Sequence, residues 1–338
     1  MRIDNGAETP KLKRKNQATP SLFSDATEPT PDGAPASLAP AAVNEMQRTL
    51  AQRLPSMLYL GTSSWSFPGW SGLVYDRKAS ESTLARVGLE SYAKHPLFRS
   101  VGVDKTFYRP APRGEFERLA AQVPASFRFL VKMWRGVVER EPFTPSTAPS
   151  AFLDARVAEV ECVRPAVEGL GEKAGPLLFQ FPPMRLAGAG AAREFLGGLR
   201  RFLAGLPRGP LYAVEVRNRT LVGAELGELL ADAGAAPCLT VHPTMPDVET
   251  QSRELALDPA RPLVMRWMLR GNHEYEEAKD LYAPFDRLVE PDDASRDALA
   301  RLARAALDAG IGTWIIVNNK AEGSSPLSVE RLAARITG

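Results

Sequence analysis

The feature that most constrains this chain is an alternation that begins at Leu58, in which short β-rich runs are separated by longer amphipathic stretches. Parallel strands joined by helical crossovers produce this pattern. Eight runs qualify as strands: Leu58 to Ser63, Ser100 to Phe107, Arg128 to Trp134, Pro176 to Phe181, Leu211 to Arg217, Pro237 to Val241, Leu263 to Leu269 and Thr313 to Asn318. Helical patterns fall at Glu81 to Lys94, Arg113 to Gln122, Ala151 to Glu172, Ala191 to Ala204, Val222 to Ala233, Ala294 to Ala309 and Ser328 to Ile336. The crossover after the sixth strand is the least marked. Eight β/α units in roughly 280 residues are the usual size of a closed (β/α)8 TIM barrel. The alternative stacking, a doubly wound open sheet, calls for a GxGxxG or Walker-type turn in the right context, and none stands there.

Residues 1–55 differ in kind from this pattern, being rich in Pro, Ala, Ser and Thr with Phe23 as their one aromatic. Such a segment buries too little apolar area to offset the entropy of ordering it, so a flexible N-terminal extension is expected, followed by a barrel domain over 56–338. The extension holds a basic cluster, Lys11, Lys13, Arg14 and Lys15, suited to a solvated tail or to contact with nucleic acid or a partner. The net charge of +2 argues against bulk electrostatic coating of nucleic acid or lipid, so anion binding has to come from local clusters. Two distant cysteines, Cys162 and Cys238, form no metal-spaced pair, and three histidines are too few for a multi-histidine centre. No cofactor is evident, although carboxylates could still hold a Mg²⁺. With no long apolar run and no secretory pattern, the expectation is a cytoplasmic protein that does not enter membranes. Oligomeric state leaves no mark in the sequence.

In a barrel of this kind, chemistry sits at the C-terminal ends of the strands, where alternation sorts side chains between the interior and the helix layer. In Val214-Glu215-Val216-Arg217 the valines pack under helices, which turns Glu215 and Arg217 inward. The same sorting sends Lys132 and Trp134 to the pocket end of the third strand and Asp104 inward on the second. Gln180 turns inward on the fourth strand and His242 on the sixth, while Arg266 follows Met265 on the seventh. The expected mouth therefore carries Asp104, Lys132, Glu215, Arg217, His242 and Arg266, with Trp65 and Trp134 as aromatic walls. Glu215–Arg217 and Asp104–Lys132 could be ion pairs closing the barrel layers. Burying charge is costly even when paired, which favours a functional cluster.

Two loops stand out. Trp65-Ser66-Phe67-Pro68-Gly69-Trp70 is too aromatic for an ordinary exposed turn, and suits either stacking on a sugar or base or a hydrophobic plug. Asn318 to Pro326 is rich in small residues and leads into a helix, where free N–H groups and the dipole favour an anion near Gly323 and Ser324. A plain capped loop, with Ser325 or Ser328 at the helix start, is the alternative.

Six segments in order, GTSSWSFPGW (61–70), TFYRP (106–110), FRFLVKMW (127–134), GPLLFQFPP (175–183), AVEVRN (213–218) and VNNKAEGSSP (317–326), resemble the successive motifs of the YecE-like barrels. The resemblance covers about residues 57 to 330. It implies a TIM barrel distantly similar to sugar-isomerase and endonuclease IV barrels, and no settled reaction. By the family pattern Trp65, Tyr108, Lys132, Gln180, Glu215, Arg217, Asn318 and Asn319 are site candidates. The chain departs from it at Gly102 and Asp104, where the family usually has Glu-x-Asn, and at His242, where an acid usually ends the strand. The Arg-x-His-Gly motif survives only as Arg266-Trp267 and then Arg270-Gly271.

Three readings of function follow. The first is an enzyme acting on an anionic substrate, a phosphorylated sugar or a phosphodiester, held by Arg217, Lys132 and Arg266 with Glu215 as general base. A glycosidase would need Asp104 and Glu215 as its carboxylate pair, but they stand on the second and fifth strands with the barrel between them. The third is a non-catalytic barrel that binds nucleic acid or a partner protein.

Overall fold

The computed structural model of this chain describes residues 38–140, 150–258, 261–269, 273 and 275–338. Eight strands are present: β1 Leu58–Thr62, β2 Ser100–Val103, β3 Arg128–Lys132, β4 Ala174–Phe181, β5 Tyr212–Val216, β6 Ala236–Val241, β7 Leu263–Trp267 and β8 Thr313–Val317. They pair in parallel in sequence order, and β8 closes on β1 with Leu58 opposite Thr313 and Thr62 opposite Val317. This is the (β/α)8 barrel expected from the alternation. The helices are α1 Glu45–Arg53, α2 Glu81–Tyr92, α3 Arg113–Ala121, α4 Arg135–Val138, α5 Ala155–Ala158, α6 Arg164–Leu170, α7 Gly188–Ala204, α8 Ala224–Ala233, α9 Val248–Glu254, α10 Tyr275–Tyr282, α11 Asp293–Asp308 and α12 Ser325–Thr337.

Three expectations need correction. Order begins well before residue 56. Leu38 is buried and its carbonyl accepts from Ser91 Oγ, Ala41 N donates to the Val74 carbonyl at 2.9 Å, and α1 carries a full capping box between Asn44 and Gln47. Leu50 and Leu54, four apart on one face, put this segment in the core, and Gln47 Nε2 donates to Glu330 on α12 at 2.8 Å. The basic cluster Lys11 to Lys15 lies outside the described residues, as do Arg270 and Gly271. The single helix expected over 151–172 is divided by a π turn, Glu159–Val163, just before Pro165, whose missing N–H cannot continue the usual ladder. The expected second strand stops at Val103, because Lys105–Phe107 coil into a 3-10 turn.

Burial follows the alternation. Outward residues such as Phe129, Val131, Phe179, Val214, Met265 and Ile315 join the large core between barrel and helices. Inward residues Leu130, Leu178, Ala213, Ala236, Cys238, Val264, Trp314 and Ile316 form a second core inside the barrel. At the N-terminal end the interior is sealed by Tyr59 and Trp314, stacked 4.5 Å apart, with the Arg128 guanidinium 6.0 Å from the Tyr59 ring. At the other end β1 and β2 run close. A Cβ on Gly102 would lie 3.1 Å from the Cα of Ser63, whose N–H is held by the Val317 carbonyl at 3.0 Å.

Candidate functional site

The inward positions at the C-terminal ends of the strands form a charged layer directly above the apolar interior. Glu215 on β5 is fully buried, and both its oxygens are engaged. Arg217 reaches Oε1 through Nε and Nη2, each at 2.5 Å, and Arg266 on β7 donates through Nη1 to Oε2 at 2.8 Å. Burial alone would raise this carboxyl, but the charges of Arg217 and Arg266 outweigh it and hold the group down at about 2. The Cys238 thiol approaches Oε2 at 3.7 Å, and burial together with that carboxylate pushes its pKa well up. Arg266 also faces Asp104, with Nη2 3.7 Å from Oδ1. One guanidinium thus joins the two carboxylates, which corrects the picture of a barrel standing between them. It also corrects the pairing expected for Asp104, whose ion-pair partner is Arg266 and not Lys132.

Lys132 ends β3 half-buried, with its Nζ 3.6 Å from the centre of the Phe107 ring. No hydrogen bond or ion pair reaches that ammonium among the described residues. Burial, helped by Arg266 and Arg217 and opposed by Asp104 and Glu215, lowers it to about 8. Gln180 lies opposite Glu215 in the β4–β5 register and is half-buried. His242 follows β6, its Nδ1 2.9 Å from Thr244 Oγ1, and burial followed by the charge of Arg217 lowers it to about 4, so it is neutral at physiological pH. Lys132, Arg217 and Arg266 face two carboxylates, Asp104 and Glu215, so these five groups alone carry one positive charge in excess.

Other candidates stand elsewhere. Trp65 is 6% exposed and packs in the core between barrel and helices, its carbonyl accepting from Tyr75 Oη, while Trp134 lies over Gly136 against the same core. Trp70 is fully buried as well, so the aromatic loop is a plug. Tyr108 is 63% exposed at the rim, edge-on to Phe107. Asn318 binds the loops together, donating from Nδ2 to Ser63 Oγ at 2.8 Å and accepting from Lys320 N. Asn319 Oδ1 accepts from both N and Oγ of Ser325 at 2.8 Å, fixing the start of α12. Gly323 and Ser324 are buried, and a Cβ on Gly323 would come within 2.6 Å of the Arg287 carbonyl. The start of α12 is therefore covered by the segment around 287–289 and does not open into the mouth.

A cleft of about 460 Å³ lies between α9 and α11, lined by Asp247, Glu249, Asp292, Asp297 and Arg301 and sharing His242 with the charged layer. The Arg301–Glu249 pair at 2.8 Å joins the two helices beside it. Among the described residues no group of three or more His, Cys, Asp or Glu is arranged to hold a metal ion, and no helix is long and apolar enough to cross a membrane.

Compared with known families, residues 59–338 match the family described as Protein of unknown function DUF72. The chain belongs to the DUF72 family. This is the YecE-like group that the six sequence segments resemble. Among solved structures it is similar to a DUF72 family protein from Enterococcus faecalis V583, with 15% identity over 82% of this chain and 95% of that one and a TM-score of 0.58. It is also similar to a DUF72 family protein from Thermotoga maritima MSB8, with 20% identity over 82% of this chain and 98% of that one and a TM-score of 0.55. These likenesses concern the fold. No curated protein matches.

Against this DUF72 background, sequence reasoning missed two members of the mouth. Phe107 was expected inside a strand, whereas the 3-10 turn swings its ring beneath Lys132. Lys320 is 5% exposed just after β8, lowered to about 8 by burial and Lys279, and it feels the charge of Asp104. Loops have no periodicity from which to read such placements. Cys238 was reachable, since it lies an even number of residues from His242 and so shares its face.

Proposed function

We propose that the mouth of this DUF72 barrel binds a small anionic substrate, a phosphorylated sugar or a phosphodiester, and that Lys132 is the group that exchanges a proton with it. The observation that carries this reading is a half-buried ammonium without a paired carboxylate beside two guanidinium groups. Such a site gains more from a bound anion than a fully paired one does. Arg217 spends Nε and Nη2 on Glu215, which leaves Nη1 for the ligand.

The general-base role expected of Glu215 passes to Lys132. A carboxylate held near 2 with both oxygens occupied is too weak a base near neutral pH, whereas a lysine near 8 is close to the operating range. Glu215 acts as a positioning residue that fixes Arg217 and Arg266. The same clamp keeps Glu215 from holding a proton, which removes it as the general acid of a glycosidase.

Calorimetric titration with inorganic sulfate, whose charge is constant above pH 5, tests the reading. Lys132→Ala is expected to weaken binding about tenfold or more, and wild-type affinity to fall as pH rises through about 8 and Lys132 loses its charge. Unchanged affinity in the variant would sink the proposal.

A further inference from the structure

Lys132 differs from the arginines around it in having nothing to release. Arg217 and Arg266 are tied to Glu215, and Arg266 also faces Asp104. The Lys132 nitrogen rests instead on the face of Phe107, and its backbone carbonyl is fixed by a 2.6 Å hydrogen bond from Thr106 Oγ1. An aromatic face holds a cation without exchanging protons, so loss of the proton strands no buried acceptor. A lysine next to other cationic groups and partly removed from water is the arrangement that supplies a neutral, nucleophilic amine. With burial lowering the group to about 8, roughly a quarter of it is neutral at pH 7.5, against about one part in a thousand for an ordinary lysine.

We infer that Lys132 condenses with the carbonyl carbon of an anionic aldehyde or ketone, whose carboxylate or phosphate is held by Arg217, to form an iminium adduct at the barrel mouth. The inference rests on the anion-binding reading of the same site and narrows its substrate class. The Nζ lone pair attacks the carbonyl carbon as the C=O π pair moves onto oxygen. One ammonium proton leaves before the attack and a second after it; both pass to that oxygen, which departs as water while the nitrogen lone pair closes the C=N⁺ bond and the third proton stays on nitrogen. Ammonium plus carbonyl gives iminium plus water, with charge conserved and no oxidant or reductant required. Asp104, half-buried just past the end of the adjacent strand β2 and electrostatically coupled to Lys132, is placed to carry these protons, whereas Glu215 is locked between guanidiniums.

The test incubates the full chain with glyoxylate, pyruvate or glyceraldehyde 3-phosphate in the presence of cyanoborohydride, then maps the reduced adducts by peptide mass spectrometry. Labelling at Lys132 is expected to exceed that at any other lysine by about tenfold and to fall with added sulfate. It should disappear in Lys132→Arg, whose guanidinium is too poor a nucleophile to condense with the carbonyl. Sulfate binding that depends on Lys132 without any adduct there overturns the iminium and leaves the anion-binding reading intact. Equal labelling by uncharged propanal, insensitive to sulfate, overturns the anionic substrate class together with that reading. Preferential labelling of Lys320, or an even spread over surface lysines, overturns the assignment to Lys132.

Discussion

Along β3, Leu130 points into the barrel and Lys132, two residues on, points into the mouth; β5 repeats this with Ala213 and Glu215, and β7 with Val264 and Arg266. The lower residues of each pair pack with Leu178, Ile316 and the stacked Tyr59 and Trp314. That floor needs only shape and apolar surface. The upper residues each require a particular partner, because removing an ion from water costs several kcal/mol that only matched charges offset. Glu215 between two arginines meets that requirement, and Lys132 does not. One strand thus changes from an interior that serves stability to a surface that spends it within about 7 Å.

The contrast can be broken from either side. Trp314→Ala, which empties part of the floor, is expected to cost about 3–5 kcal/mol in urea denaturation and to leave sulfate affinity unchanged; a large loss of affinity would show that floor and mouth are not separable. Next in size is Glu215→Gln, which strands two buried guanidiniums at a cost of about 3 kcal/mol. Because the folded pKa of Glu215 lies near 2, its stabilisation is fully present above about 4.5 and is lost as pH falls toward 2. The variant should therefore show a shallower acid dependence of stability over that window, and an unaltered slope would remove the carboxylate from the balance.

Lys132→Met carries the opposite sign. A lysine lowered to about 8 costs stability wherever it is charged in the folded state, so the variant should gain on the order of 1 kcal/mol at neutral pH, discounted for partial exposure. That gain should shrink as pH rises from about 8 to 10.5, and the loss of sulfate affinity should be largest below about 8, where wild-type Lys132 is charged. A destabilised Lys132→Met at pH 7 would place Lys132 with the structural charges. The smallest effect is expected at the rim, where Tyr108→Ala on an exposed side chain should move stability by less than about 0.5 kcal/mol.

The parts of this molecule set by local periodicity could be read from the sequence. Valines flanking Glu215 and apolar residues alternating with Lys132 announced which face is inward, and the structure places those faces as expected. Partner choice could not be read the same way. Asp104 and Lys132 are equally inward by alternation, yet the guanidinium that reaches Asp104 comes from β7, across the barrel, a distance that no spacing encodes. Trp65 and Trp134 failed as walls because loop residues obey no face rule and their rings found the outer core. The helix at 45–53 was obscured by the Pro- and Ala-rich stretch before it, although Asn44, Gln47, Leu50 and Leu54 form a capping box and an apolar face.

The close approach at Gly102 limits which side chains the β2 side of the mouth can carry. The YecE-like pattern usually carries an acid where this chain has Gly102, and here the backbone of Ser63, pinned to β8, fills the space a side chain would start from. A side chain at Gly102 would need the Ser63 backbone to give by a few tenths of an ångström against its hold on β8, so Gly102→Glu is expected to strain the β1–β2 seam, which urea denaturation would read as lost stability.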